Sequence, residues 1–243
     1  MSAQLLDGRT IAARIKAEVK EEIRRLGFTP GLAAILVGAD PASHLYVGLK
    51  EKACAEVGIH FEKYLFFATE SQKKIVSKIN ELNKRSDIHA ILVQMPLPQP
   101  QHEDTVIRAI DPKKDVDGFH PENLNLLIAG TPRVVPGVAR GIFELIRSSG
   151  ESMRGARAAL LANSTTFAAP VEYLLEEAGA TVHIVLASPE LESVTTQLRD
   201  SDIVVVAIGR PRAVTGAMIK PGATIIDVGT NRLDDNTLVG DVD

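Results

Sequence analysis

Cysteine is nearly absent from this chain: Cys54 is the only one among 243 residues. No intramolecular disulfide is possible, and a reducing, cytoplasmic setting is the default expectation. A basic excess is missing too. Lys and Arg number 27 against 31 Asp and Glu, the net charge is −4, and the isoelectric point is near 5.9. That balance argues against nucleic acid or an anionic membrane as a partner, since both favour a basic surface. Long apolar runs are lacking. The longest are strand-sized, well short of the ~20 residues a membrane helix needs. Residues 1–10 have neither a basic region nor an apolar one, so no signal peptide is read there. The six histidines show no metal-ligand spacing, so no metal is expected. Neither a close internal repeat nor a low-complexity tract is seen.

What is present is an apolar fraction of 45%, enough for a sizeable core, in a length that suits one large or two modest domains. Ile11, Ile15, Val19 and Ile23 fall four apart among Lys and Glu, the pattern of an amphipathic helix, and Gly27 ends it. Leu32 to Val37 is a continuous apolar run, as in a strand buried on both faces. Gly38-Ala39-Asp40-Pro41 is a turn that opens a second helix, Ala42 to Val57, closed by Gly58. A strand is expected at Phe61–Phe67, a helix around Ile75, Ile79 and Leu82, a strand at Ala90–Val93 and a short helix over Val106–Ile110. The second half repeats this rhythm. Strands are expected at Ala158–Leu161, Thr181–Leu186, Ile203–Ile208 and Thr224–Val228, with helices near Val138–Ser148, Ala168–Ala178 and Glu190–Arg199. Alternation of this kind predicts α/β architecture with parallel sheets. Two domains are expected, 1–120 and 121–243, with a seam around Gly118 to Pro136 and a cleft between the domains.

The chemistry-bearing residues gather at strand ends of the first half. Tyr46 and Lys50 share one helix face, being four apart. Their helix starts just past the carboxyl end of the 32–37 strand, the edge where α/β proteins place ligands. An isolated Tyr-x-x-x-Lys reads equally as a solvated lysine beside a half-buried tyrosine. Gln94, however, follows directly on Ile91-Leu92-Val93, and Pro96-Leu97-Pro98 stiffens the exit. An amide at a strand's carboxyl end can orient the lysine or bond a substrate carbonyl, and a lysine partly removed from water there can shuttle protons. Lys114-Asp115-Val116-Asp117-Gly118 supplies two carboxylates, read either as an Asx-turn or as acceptors for a ring with adjacent N–H donors.

At this point the chain resembles the bifunctional methylenetetrahydrofolate dehydrogenase/methenyltetrahydrofolate cyclohydrolases. The resemblance rests on Tyr46-Val47 to Lys50, on Val93-Gln94-Met95-Pro96-Leu97-Pro98, and on Ile110-Asp111-Pro112 through Asp117-Gly118-Phe119-His120-Pro121. Later come Ser201-Asp202-Ile203-Val204, Lys220-Pro221-Gly222-Ala223, Ile226-Asp227-Val228-Gly229 and Val239-Gly240-Asp241-Val242, so it spans nearly the whole chain. It implies that Lys50 is catalytic for the cyclohydrolase step, with Gln94 supporting the lysine. It implies that Tyr46 packs on the folate's aminobenzoyl ring and that Asp117 holds the pterin. Asp115, Pro96 and Leu97 complete the substrate-binding set. It also implies a second domain of Rossmann type and a homodimer formed through that domain.

The departures from the family lie in that domain. Where the family reads Gly-Arg-Ser-x-x-Val-Gly-x-Pro, this chain has Ala162-Asn163-Ser164-Thr165-Thr166-Phe167-Ala168-Ala169-Pro170. Both glycines are alanine, and glycines in such loops let backbone N–H groups approach a pyrophosphate. Asn163 stands where an arginine would meet a 2′-phosphate. The family's threonine before the preceding helix is lost in Pro136-Gly137-Val138-Ala139, and its His-Ser-x-Thr pattern is Leu186-Ala187-Ser188-Pro189. The sequence given ends at Asp243, where the family's pattern continues into Pro-Val-Pro-Gly-Gly-Val-Gly-Pro-Met-Thr. The cofactor-binding candidates are Asn163, Ser164, Thr165, Gly209, Arg210 and Asn231. Gly209-Arg210 is read either as a turn or as a cofactor contact. Cys54 is expected to be a packed core thiol, and His120 a surface residue. The leading expectation is a hydrolase of 5,10-methenyltetrahydrofolate with weak or absent dehydrogenase activity. The alternatives are the full bifunctional enzyme using NADP or NAD, and a non-catalytic folate-binding relative.

Overall fold

The fold is that of a computed structural model, which describes residues 3–187 and 194–243. The chain divides into two compact units, 9–136 and 1–8 with 137–243. In the first, α1 (Gly8–Leu26), β1 (Gly31–Val37), α2 (Pro41–Val57), β2 (His60–Phe66), α3 (Gln72–Lys84) and β3 (Ala90–Val93) alternate, followed by the short helices α4 (Glu103–Ile107) and α5 (Pro121–Ile128). β1 lies between β2 and β3, parallel to both, with Ile35 opposite Tyr64 on one side and Val93 on the other. Ala33 to Val37 are fully buried, as a central parallel strand covered on both faces requires. Ile75, Ile79 and Leu82 of α3 join Ile35, Val37, Ile91 and Val93 in the larger core cluster. The apolar stripe of α1 is only half-buried.

The second unit holds α6 (Gly137–Ser148), β4 (Arg157–Ala162), α7 (Thr165–Glu177), β5 (Thr181–Leu186), α8 (Thr195–Arg199), β6 (Ile203–Ala207) and β7 (Thr224–Asp227). Its sheet is parallel in the order β5-β4-β6-β7. Beyond it, β8 (Asn231–Arg232) and β9 (Leu238–Val239) form a small antiparallel ribbon. The expected α/β alternation and parallel sheets are both found. Among the described residues no helix is long and apolar enough to cross a membrane.

Three elements differ from expectation. The segment read as a seam contains α5. Its N-terminus is capped by His120, whose ring accepts the Glu122 N–H, with Pro121 in the first turn, where a missing N–H costs nothing. Helix α7 starts three residues early, so Pro170 lies inside it rather than at its mouth. Ser164 accounts for this: its hydroxyl accepts the Phe167 N–H at 3.3 Å and caps the helix. Of the helix expected at Glu190–Arg199, Thr195–Arg199 is helical; residues 190–193, like Ser188 and Pro189, lie outside the described residues.

One charged cluster ties β2 to the turn before β3. The Arg85 guanidinium donates to both oxygens of Glu62, at 2.7 Å each, and through Nε to Asp87 at 3.0 Å. With the Tyr64 hydroxyl also donating to Glu62, the Glu62 carboxyl is held at about 2, well below its ordinary 4.5, the Arg85 bonds being the main cause. A carboxyl depressed in this way contributes stability above pH 4.5 that is lost as the pH falls toward about 2. Arg85→Met therefore lowers the melting temperature at pH 7. It also flattens the acid limb of the stability curve over that window, as pH-dependent thermal melts would read.

Candidate functional site

The loop from β1 into α2 is built by local rules. Asp40 caps α2 by accepting the Ser43 N–H at 2.8 Å, which holds its carboxyl below the usual range, and Pro41 opens the helix. Gly58 closes it at φ +96°, a left-handed conformation that glycine adopts without strain. Val47 and Cys54 face the core; Lys50, one turn before Cys54, borders that buried stripe and is half-buried, while Tyr46, a turn earlier, is exposed. Cys54 is buried, and burial pushes its thiol up.

Gln94 continues β3 by one residue. Its backbone N–H donates to Ile35 O at 2.9 Å, which roots it in the central strand. Its side chain is fixed at both ends: Nε2 donates to Met95 O at 2.7 Å, and Oε1 accepts from Lys50 Nζ at 2.9 Å. Two residues 44 apart in sequence are thus brought into direct contact, with the amide oxygen turned toward the amine.

The 114–118 loop runs beside β3. Ile91 N donates to Lys114 O at 2.7 Å and Ile91 pairs with Asp115 as a parallel bridge. The chain bends after this bridge, and Asp117 lines a recess together with Val93, at the end of β3. Lys114 anchors the loop from below, its amine donating to Leu82 O and Arg85 O at the end of α3. The two carboxylates then part company. Asp115 turns inward and is 5% exposed; its oxygens accept Gly118 N at 3.1 Å, His120 N at 2.8 Å and Asn123 Nδ2 at 2.9 Å. Asp117 has no such set of donors. Burial pushes its carboxyl up, the nearby Lys50 charge works against this, and Asp115 adds to it. An apolar recess lined by Ile91, Val93, Met95 and Phe119 includes both carboxylates. Leu97 is not presented to this recess: it is 7% exposed and belongs to the core cluster with Val106 and Ile110, whereas Pro96 is exposed. Of the expected substrate contacts, Leu97 packs in the core, and Asp115 lines the recess with its oxygens taken up by the loop's own donors.

In the second unit, Asn163, Ser164, Thr165 and Thr166 are exposed at the carboxyl end of β4 and the start of α7. The N–H groups of a helix's first turn have no partner within the helix and favour an anion. Ala162 and Ala168, by contrast, are 1% and 0% exposed. Their methyls lie inside the packing and leave the helix mouth open. The Asn163 amide donates to Ile208 O at 2.8 Å, joining the end of β4 to the loop after β6. Gly209, Arg210 and Asn231 are held by a residue that the sequence reading gave no role, Asp241. Its only signal was its place in the Gly240-Asp241-Val242 stretch. Two sets of candidates therefore form, Tyr46, Lys50, Gln94 and Asp117 in one unit, and Asn163 to Thr165 with Gly209, Arg210 and Asn231 in the other.

Two family models match this chain. The tetrahydrofolate dehydrogenase/cyclohydrolase catalytic domain matches residues 6–117, and the tetrahydrofolate dehydrogenase/cyclohydrolase NAD(P)-binding domain matches residues 136–243. The bifunctional protein FolD of Bordetella avium (strain 197N) is 45% identical over 246 aligned positions, covering all of this chain and 86% of that protein. That of Geobacillus thermodenitrificans (strain NG80-2) is 43% identical over 247 positions, with the same two coverages. Among solved structures, the Trypanosoma brucei N5,N10-methylenetetrahydrofolate dehydrogenase-cyclohydrolase, complexed with NADP cofactor and inhibitor, superposes with a TM-score of 0.93 at 36% identity, over 100% of this chain and 86% of that one. The NAD-dependent 5,10-methylenetetrahydrofolate dehydrogenase of Saccharomyces cerevisiae, 19% identical, shares the fold at a TM-score of 0.71 over 92% of this chain and 82% of that one.

Proposed function

This chain belongs to the tetrahydrofolate dehydrogenase/cyclohydrolase family, and from that premise we propose that it is a bifunctional enzyme of one-carbon folate metabolism. It oxidises 5,10-methylenetetrahydrofolate with a nicotinamide dinucleotide and hydrolyses 5,10-methenyltetrahydrofolate to 10-formyltetrahydrofolate. The observation that carries the reading is the Lys50–Gln94 bond of 2.9 Å with Asp117 within the lysine's electrostatic reach.

In the hydrolytic step, water adds to the iminium carbon of the methenyl bridge. The bond from that carbon to one ring nitrogen then breaks, and that nitrogen needs a proton. Lys50 moves the proton from the attacking water to the departing nitrogen, and one proton is released overall. Gln94 holds the amine in place through Oε1, and cannot rotate away because its Nε2 is tied to Met95 O. Asp117, poorly solvated and without backbone donors of its own, accepts the adjacent N–H groups of the pterin. Asp115 holds the loop that presents it. Tyr46 offers its half-exposed ring, 45% accessible, to the aminobenzoyl group.

The residues of the second unit fit a dinucleotide. Ser164, Thr165 and the open first turn of α7 suit a pyrophosphate, and Gly209, Arg210, Asn231 and Asn163 lie at the strand ends beside it. When bound, this group supplies the oxidant for the methylene bridge. The buried methyls of Ala162 and Ala168 remove the main argument for a lost dehydrogenase activity, and the similarity to bifunctional relatives supports its retention. Asn163 brings no positive charge to a 2′-phosphate, so NAD and NADP both belong in the test. Purified protein is expected to reduce at least one of them in the presence of methylenetetrahydrofolate and to accelerate methenyl decay without either. Hydrolysis alone, with no dinucleotide binding by calorimetry, would return the reading to a cyclohydrolase.

A further inference from the structure

The loop after β6 presents three successive backbone N–H groups, from Ile208, Gly209 and Arg210, to one acceptor. An array of this kind makes an anion-binding concavity. Here the anion is the chain's own Asp241. Its Oδ2 accepts Ile208 N at 2.7 Å and Gly209 N at 3.0 Å, and its Oδ1 accepts Arg210 N at 2.8 Å and Asn231 Nδ2 at 2.8 Å. The residue is 0% exposed. Burial alone would raise its carboxyl, but Asn231 and the three amides together hold it below the ordinary value.

The carboxylate reaches this position because Asp227, at the end of β7, captures the backbone on its far side. Asp227 Oδ1 and Oδ2 accept the N–H groups of Asp241 and Val242, each at 3.0 Å. The approach is so close that a Cβ at Gly240 would overlap the Asp227 carboxylate, and one at Gly229 would overlap that of Asp241. The Ile208 carbonyl is occupied in turn by the Asn163 amide at 2.8 Å. A continuous chain of hydrogen bonds thus runs Asn163–Ile208–Asp241–Asn231 across the carboxyl ends of β4 and β6. Four of the dinucleotide candidates hang on it: Asn163, Gly209, Arg210 and Asn231.

We propose that Asp241 is the positioning residue of the dinucleotide site, setting the backbone of Gly209-Arg210 and the rotamers of Asn163 and Asn231 without touching the cofactor itself. The proposal rests on the dehydrogenase reading given above. Asp241→Asn keeps the side-chain volume but turns an N–H toward backbone N–H donors. The loop loses charged hydrogen bonds, each equivalent to about tenfold or more in an equilibrium constant.

The test is steady-state kinetics of Asp241→Asn and wild type with NADP and with NAD, alongside methenyl hydrolysis without dinucleotide, and calorimetric titration of each dinucleotide. The expected result is a dinucleotide KM and Kd raised about tenfold or more, with dinucleotide-independent hydrolysis within about twofold of wild type. An unchanged KM and Kd would overturn the proposal, and so would a parallel loss of both activities, which marks a general structural group. Should Asp241→Asn not fold, Asp227→Asn, which loosens the hold on the Asp241 and Val242 backbone at a residue that is not a dinucleotide candidate, decides the matter: a rise of about threefold in dinucleotide Kd upholds the proposal and none overturns it. A wild type that binds neither NADP nor NAD overturns the dehydrogenase reading and this inference with it. A wild type that binds, with variants that bind equally, overturns the inference alone.

Discussion

Lys50→Met lowers the rate of methenyltetrahydrofolate hydrolysis by about 10²- to 10⁴-fold, the usual contribution of a placed general acid-base group. Methionine keeps the length and apolar stem of lysine on α2, so the fold and the folate KM are expected to change little. The loss should appear in kcat, because the interaction removed is one made as the bridge opens. Gln94 loses the partner of its Oε1 but keeps both its own N–H bonds, to Met95 O and from its backbone to Ile35 O, so the end of β3 stays in place. Absorbance decay of the methenyl substrate measures this directly. Lysine-independent decay at the wild-type rate would remove the lysine from the mechanism, and wild-type decay no faster than the buffer rate would leave a folate-binding relative as the reading.

Asp117→Asn is expected to do two opposite things. It raises the folate KM by about 10- to 100-fold for both activities, since an amide N–H replaces an acceptor facing ring N–H donors. It also stabilises the free protein at neutral pH. Burial raises the Asp117 carboxyl above its ordinary 3.8, with the Lys50 charge opposing and Asp115 adding. A carboxyl raised in the folded state carries no penalty below pH 3.8; the penalty builds as the pH rises through the folded value and persists at pH 7. The asparagine variant escapes it. Its melting temperature should exceed that of wild type at pH 7, and the two should converge below about pH 4. A ligand group held at some cost to stability is common in binding sites. A variant both less stable at pH 7 and unaltered in KM would contradict both parts.

The periodicities that predicted helices and parallel strands are those the fold uses, because buried central strands and amphipathic helices leave their mark within ten residues of sequence. The Lys50–Gln94 pair was legible for a similar reason: Gln94 follows the end of β3, and Lys50 lies on the helix that starts past the end of β1, the edge where α/β sheets carry ligands. The division of labour between Asp115 and Asp117 was not. It depends on the bridge of Asp115 to Ile91, a partner 24 positions away, which sets which carboxylate turns inward. Helix α5 was hidden because its signals, a capping histidine and a proline, also announce a turn. The alanines of 162–170 were weighed as obstacles because a motif shows that a methyl has been added and not where it points. Asp241 was invisible as an anchor, since its partners in the β6 loop lie 31 to 33 residues upstream.

Gln94 is attached to the middle of a sheet. Its amide hydrogen is donated to Ile35, in a strand whose residues from Ala33 to Val37 are buried. Opening there disturbs the buried central strand, so this amide is expected to exchange slowly. Asn231 and Arg232 sit instead on a ribbon of two-residue strands, where small openings suffice for exchange. The group that holds the reacting lysine thus answers to the sheet, and the dinucleotide candidate on the ribbon to a smaller element. Shape at the first site is inherited from the sheet, and at the second from the buried carboxylate of Asp241 that gathers the loop and the ribbon.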